Sequence, residues 1–270
     1  MNREMLFEIR NIDFSYGKNK VVNNLSLAIE PGKFYGIVGP NGCGKTTFLD
    51  LVVRNREPQS GTIRYRGQDI RAYSGRKLAR DISLVPQDFY IKFPFTVREV
   101  VLMGRHPYIS RFASPSAEDL KIADDAMRKA GVDEFRNKYI TELSGGEKQR
   151  VVFARALAQN TSVLILDEGT SNMDIRHTLN ILDIVADGVK LKKRTVIAVM
   201  HNLHLAAAYC DNLIFMRSGR ITSEGSVDEV LNEQNIKDAF EVDSRVYFDR
   251  YSNSRQVIFK RGRPDEGKNI

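Results

Sequence analysis

The chain has 270 residues, 42% of them hydrophobic and 28% charged, with a formal net charge of +7. That balance fits a soluble globular protein of one large or two small domains. It excludes a membrane-embedded chain, since no apolar stretch approaches the roughly 18 residues that a span needs. Met1 to Arg10 carries charges where a secretory signal needs an apolar run. Residues 5 to 30 alternate apolar and polar, through Leu6-Phe7-Glu8-Ile9-Arg10, Val21-Val22 and Leu25-Ser26-Leu27-Ala28-Ile29. This predicts antiparallel strands with one half-exposed face. Glu30-Pro31-Gly32 is a turn, and Phe34 to Val38 a short apolar strand. A helix is expected over Thr46 to Val53, a turn over Pro58 to Gly61, and a strand over Thr62 to Tyr65.

The stretch from about 74 to 160 reads as helix-rich. Thr96 opens a helix reaching Gly104, with Val97, Val100, Val101 and Met103 apolar. Pro115 to Glu118 opens a second that runs to Gly131, and Glu147 to Gln159 forms a third. Val163 to Leu166 is a continuous apolar run, as expected of a strand buried on both faces, and it ends in Asp167 and Glu168. Ile175 to Leu191 is helical in period; Val196 to Met200 is a second buried strand, ending at His201. Asp211 to Met216 and Arg220 to Thr222 form a further strand pair around Ser218-Gly219. Residues 245 to 260 alternate as a terminal hairpin, and 261 to 270 are expected to be a disordered tail.

Residues 39 to 46 read Gly-Pro-Asn-Gly-Cys-Gly-Lys-Thr and fit G-x-x-x-x-G-K-[ST]. In such a loop backbone N–H groups cradle phosphates, the lysine reaches the β/γ oxygens and the hydroxyl binds magnesium. Lys45 and the amides of Gly42, Gly44 and Lys45 are therefore expected to hold a triphosphate, with Thr46 on the metal. Asp167 suits the metal's second side, through water. Buried strands ending in polar groups place these residues where open α/β sheets bind ligands. Glu168 can polarise an attacking water, although a solvated carboxylate beside a helix start looks the same. Gln87 can offer its amide oxygen to magnesium or water, His201 its imidazole to the γ-phosphate, and Tyr16 its ring to an adenine. Taken singly, each of these three is an unremarkable side chain. Residues 143 to 150, Leu-Ser-Gly-Gly-Glu-Lys-Gln-Arg, form a second phosphate-binding segment. Ser144-Gly145-Gly146 opens a helix there, and its N–H groups and dipole attract an anion. Cys43 lies inside the first loop, where a disulfide would obstruct a ligand, so a reducing compartment is expected. No dense basic block with interleaved aromatics points to nucleic acid; the positive excess suits an anionic membrane surface or a diffuse spread.

The order of these motifs closely resembles that of the nucleotide-binding subunit of an ABC transporter, over about residues 5 to 260. Tyr16 stands at the family's adenine-stacking aromatic, and 39 to 47 match its Walker A segment. Gly39, Asn41, Gly42, Cys43, Gly44, Lys45, Thr46 and Thr47 are thereby implied ATP contacts. Gln87 matches the Q-loop, 143 to 150 the signature, 163 to 168 the Walker B segment with its glutamate, Asp174 the D-loop and His201 the switch histidine. The resemblance implies an α/β fold: a P-loop NTPase core with a mostly parallel sheet, an N-terminal antiparallel β subdomain and a helical signature subdomain. It implies one domain over 1 to 260, with the helical part at about 88 to 160. ATP and Mg2+ are the implied cofactors, the metal held by Thr46, Gln87 and Asp167. Glu168, His201 and Gln87 are the implied catalytic set. Ser144, Gly145, Gly146 and Gln149 would contact ATP from a second copy, in a head-to-tail homodimer. A transmembrane permease dimer and, indirectly, a substrate-binding protein are the other implied partners, without nucleic acid, at the cytoplasmic side of the cell membrane.

Gly169 stands where the family usually has proline, which loosens the backbone beside Glu168. Met173 replaces a leucine at nearly constant volume. Thr96 to Arg105, Pro107-Tyr108, the Gly-Cys-Gly-Lys of the loop and the terminal hairpin resemble importers of iron–siderophore complexes, haem and vitamin B12. There the region between Gln87 and about Arg111 would form part of the groove for the permease's coupling helix. An importer ATPase for molybdate, tungstate, manganese or zinc shares every ATP-site residue. A soluble ABC ATPase acting on DNA or ribosomes fits less well, because the chain has no long coiled-coil insertion and only one ATPase module.

Overall fold

The computed structural model describes residues 5–168 and 173–261. The amino-terminal alternation becomes β1 (Phe7–Tyr16) and β2 (Asn19–Ile29), an antiparallel pair. Phe7 and Ile9 on β1 and Leu25, Leu27 and Ile29 on β2 are buried, while the residues between them are more exposed, as period two requires. β3 (Phe34–Val38) follows, buried throughout, then α1 (Lys45–Val52), β4 (Ser60–Tyr65) and the short β5 (Gln68–Asp69). β4 joins β1 on its other edge, giving a four-stranded antiparallel sheet of order β2-β1-β4-β5.

The stretch expected to be helix-rich also holds a strand. α2 (Gly75–Asp81) runs directly into β6 (Ile82–Val85), whose four residues are too few to show a period. α3 (Val97–Leu102), α4 (Ala117–Lys129) and α5 (Gly145–Ala158) come next. Each opens with a reciprocal capping box, Thr96 with Glu99, Ser116 with Asp119 and Ser144 with Glu147. The third box explains why α5 starts two residues before the expected Glu147: that glutamate is the third helical residue, not the first. α3 is shorter than expected and tightens into a 3-10 turn over Met103–Arg105. At that turn Gly104 lies against α5 so closely that a Cβ would stand 2.2 Å from the carbonyl oxygen of Arg155.

The rest of the chain gives β7 (Val163–Leu166), α6 (Ile175–Lys192), β8 (Thr195–Val199), α7 (Leu203–Tyr209), β9 (Asn212–Arg217) and β10 (Arg220–Ser226). Two short helices follow, α8 (Val227–Val230) and α9 (Glu233–Phe240), then the hairpin β11 (Ser244–Asp249) and β12 (Ser254–Phe259). β10 outruns its expected end at Thr222, because its pairing with β9 needs backbone rather than apolar side chains. The main sheet has the order β10-β9-β3-β8-β7-β6, parallel from β9 to β6 with β10 antiparallel at the edge. Its strands divide their side chains between two cores. Val163 and Ile165 join the antiparallel sheet and α1, whereas Leu164 and Leu166 join α3 to α6. Beyond Arg261, the expected tail lies outside the described residues.

Gly104→Ala should force the 3-10 turn and α5 apart and lower the unfolding free energy by about 1–3 kcal/mol. Urea titration would read this, with Gly75→Ala as the control, since nothing lies within 4 Å of a Cβ there.

Candidate functional site

The parallel register brings four strand ends level. Ile37 pairs with Val199, Leu166 with Ala198, and Val85 with Leu166. The segments leaving β3, β8, β7 and β6 therefore emerge side by side at the carboxyl edge of the sheet, where ligands bind in such folds. A cleft of about 590 Å3 opens there, lined by Val21, Asn41, Gly42, Gly44, Lys45, Thr46, Thr47, Gln87, Glu168 and His201.

One wall is the loop from β3 to α1. Two of its glycines are imposed by packing: a Cβ at Gly39 would stand 2.2 Å from the Met216 carbonyl oxygen, and one at Gly44 2.7 Å from that of Val21. Gly44 is the N-cap of α1 and offers no side chain to the helix, and no acidic residue occupies the first turn. The first-turn N–H groups thus face a ligand with no side-chain competitor, and the helix dipole adds a positive field. Lys45 is buried, its ammonium donating to the carbonyls of Gly39 at 2.9 Å and Pro40 at 3.0 Å. An ammonium has three donors, so this grip fixes the chain end while keeping one for an anion.

The other wall is acidic. The Thr46 hydroxyl donates to Asp167 Oδ1 at 3.1 Å, and the Asp167 N–H donates to the Val85 carbonyl at 2.9 Å. Burial pushes the Asp167 carboxyl up to about 6, with Glu168 and Asp50 adding repulsion against the pull of Thr46 and Lys45. Glu168 sits at φ +53°, a left-handed backbone that costs a non-glycine residue about 1–3 kcal/mol. That conformation aims its carboxylate across the cleft. Oε2 accepts from Gln87 Nε2 at 3.0 Å, and Oε1 lies 2.6 Å from His201 Nε2. One carboxylate thus ties together the residues following β6, β7 and β8.

Other expected site residues lie elsewhere. Tyr16 is half exposed at the end of β1, edge-on to Phe14, with the Arg56 guanidinium 4.7 Å from its ring centroid. The Cys43 side chain turns into the core, and burial raises its thiol pKa, so only its backbone is offered to a ligand. None of Ser144, Gly145, Gly146 and Gln149 lines the cleft. Ser144 caps α5, its hydroxyl donating to Glu147 Oε2 at 2.7 Å; Gln149 is buried, its amide 3.5 Å from the Pro86 carbonyl. Asp174 caps α6, accepting from the His177 N–H at 2.9 Å. Met173 packs against the core, while Gly169 lies outside the described residues. Sequence reasoning missed Val21, which carries no motif and belongs to the site because its carbonyl crosses Gly44, and Asp50, whose charge acts on Asp167. Among the described residues, no three His, Cys, Asp or Glu side chains converge on a metal position.

The raised Asp167 pKa makes a signed prediction. The folded state binds this proton more tightly than the unfolded chain, whose aspartates titrate near 3.9. Its contribution to stability is therefore full below about pH 4 and lost as pH rises through about 6. Without divalent cations or nucleotide, Asp167→Asn should melt at a higher temperature than the parent at pH 7, the gap closing towards pH 4. Calorimetry across that range would check it.

Known proteins resemble this chain in sequence and fold. A family model described as "ABC transporter" matches residues 22–171. The cobalamin import ATP-binding protein BtuD of Halobacterium salinarum is 40% identical over 242 residues, covering 90% of this chain but 60% of the relative, so the chain spans under two thirds of that protein's length. The iron(3+)-hydroxamate import ATP-binding protein FhuC of Bacillus subtilis is 34% identical over 242 residues, 90% of each chain. Among solved structures, an inward-facing putative metal-chelate type ABC transporter superposes with a TM-score of 0.81 at 25% identity, over 96% of this chain and 98% of that one. With the cleft, its loop and the matched 22–171 in agreement, the chain belongs to the ABC transporter family.

Proposed function

We propose that this chain is the ATP-hydrolysing subunit of an importer for an iron–siderophore, haem or cobalamin-type substrate. The observation that carries the reading is the single cleft shared by Lys45, Thr46, Gln87, Glu168 and His201 at the start of α1. The α1 amides and Lys45 hold the β- and γ-phosphates. Tyr16 stacks the adenine on the ring face that Arg56 leaves open. Thr46 and Gln87 directly, and Asp167 through water, would hold a Mg2+ ion with their hard oxygen atoms. When bound, that ion neutralises phosphate charge. Asp167, whose ionised form burial disfavours, would be held ionised beside that cation.

Water attacks the γ-phosphorus as the bond to the β-phosphate oxygen breaks and ADP leaves, and Glu168 receives the proton of that water. Gln87 and His201 each engage a different oxygen of its carboxylate, which fixes its orientation. His201 also reaches the γ-phosphate. The signature residues at the start of α5 lie off the cleft of their own chain, which supports a head-to-tail homodimer in which a second copy supplies them. ATP then favours the closed dimer because only there do both half-sites touch it.

Among the described residues no helix is long and apolar enough to cross a membrane. A permease dimer, served by a substrate-binding protein, therefore supplies the path, with this chain bound at its cytoplasmic face. Tyr90, Phe93 and Phe95 are exposed beside Gln87, at 83%, 70% and 37%, and support a partner groove in that region. The cargo class rests on the relatives named for cobalamin and ferric hydroxamate import.

Glu168→Gln should bind ATP, accumulate as a dimer and lose at least about 100-fold in turnover. Normal turnover in that variant would point to His201 or another base. Lys45→Ala should lose most of its ATP affinity, read with a fluorescent analogue. Isolation from mildly solubilised membranes should yield this chain with a membrane-spanning permease in equal copies. Recovery only with ribosomes or DNA would overturn the transport reading.

A further inference from the structure

We propose that Arg56 positions the base of the nucleotide by holding the Tyr16 ring from behind, so that α1 governs both ends of the bound nucleotide. It rests on the function proposed above, in which Tyr16 stacks the adenine. Arg56 belongs to no motif and lies between the end of α1 and the turn over Pro58 to Gly61. Just after the helix, Arg54 takes a left-handed backbone, φ +61°. The chain then folds back on α1, and the N–H groups of Asn55 and Arg56 both donate to the Asp50 carbonyl, at 2.8 and 3.3 Å. The Asp50 carboxylate holds the same two residues by their side chains. Its Oδ1 accepts from Asn55 Nδ2 at 3.1 Å, and its Oδ2 from Arg56 Nε at 3.3 Å. Asp50 is itself a residue of α1, whose amino end lines the phosphate cleft.

The far end of the same arginine covers an aromatic pair. Its Cζ stands 4.7 Å from the Tyr16 ring centroid and 5.8 Å from that of Phe14, within the range of attraction between a cation and a ring face. The two rings meet edge to face at 5.1 Å. Phe14 therefore packs against the Tyr16 ring while Arg56 covers one of its faces, and the ring remains half exposed. The segment after Arg56 is fastened to β1 as well. The Gln59 N–H donates to the Asp13 carbonyl at 2.8 Å, and the Ser60 hydroxyl to Asp13 Oδ2 at 2.8 Å. Arg56 is thus tied to α1 on one side and followed by a tie to β1 on the other. Tyr16 pairs with Asn19, two residues before Val21, which lines the cleft.

A half-exposed ring that turns freely loses rotational freedom when a base stacks on it, and that loss subtracts from affinity. A ring already held by Phe14 and Arg56 loses less. Because Asp50 joins this clamp to the helix that grips the phosphates, base and phosphates meet one body with a fixed spacing between their sites. Arg56 touches Tyr16 and not the nucleotide, so it is a positioning residue, and its effect falls on the base and spares the phosphates.

Titration calorimetry of the full chain with Mg2+ separates these parts. ADP carries base and phosphates, inorganic tripolyphosphate carries phosphates alone, and the ADP measurement needs neither hydrolysis nor a dimer. Arg56→Ala should weaken ADP about two- to fivefold while tripolyphosphate stays within about 1.5-fold of the parent. Arg56→Lys, which keeps a cation near the ring, should restore part of the loss. Tyr16→Ala should also weaken ADP, and adding Arg56→Ala to it should bring no further loss. Unchanged or tighter ADP binding in Arg56→Ala would overturn the role of Arg56 while leaving Tyr16 as the platform. Equal loss of both ligands would overturn it too, since that marks a general change in charge or fold. A further loss in the Tyr16→Ala background would place Arg56 on the nucleotide itself and end the positioning role. If Tyr16→Ala binds ADP as the parent does, the adenine platform fails first and Arg56 falls with it.

Discussion

A parallel sheet can form only where both of its faces are covered, and that requirement shapes this molecule. β3, β7 and β8 are buried throughout and send alternate residues into two separate cores. The antiparallel sheet with α1 closes one face, and the helices from α3 to α6 with α7 close the other. Polar groups that follow these strands have one exit, the carboxyl edge. The site is the consequence: a loop, two carboxylates, a glutamine and a histidine collected where their strands run out.

This collection is held at some cost. Asp167 is a buried carboxylate whose neighbours include two more acids, and Glu168 adopts a backbone that its side chain disfavours. Neither feature stabilises the free chain at neutral pH. Both persist because the surrounding strands over-determine them.

Much of this was legible locally. Val163 to Leu166 reads as a buried strand because four apolar residues end in two acids, and residues 39 to 46 spell their own turn, cradle and cation. What escaped depends on contacts remote in sequence. β6 is recognisable only by its pairing with β7. The outward and inward sides of the loop cannot be told from its letters, so Cys43 looked like a ligand contact while its side chain packs in the core. Arg56 reaches Tyr16 across forty residues, and nothing in either segment announces the other.

The buried Cys43 has a further effect, on chemical durability. Thiol oxidants and alkylating agents attack the thiolate, and burial raises the pKa of this sulfur away from that form. Its Sγ also stands 3.0 Å from where a Cβ on Gly39 would be, so added oxygen atoms would press on the loop backbone. By keeping the sulfur protonated and enclosed, the fold carries a cysteine inside the loop from β3 to α1 without exposing that loop to thiol chemistry.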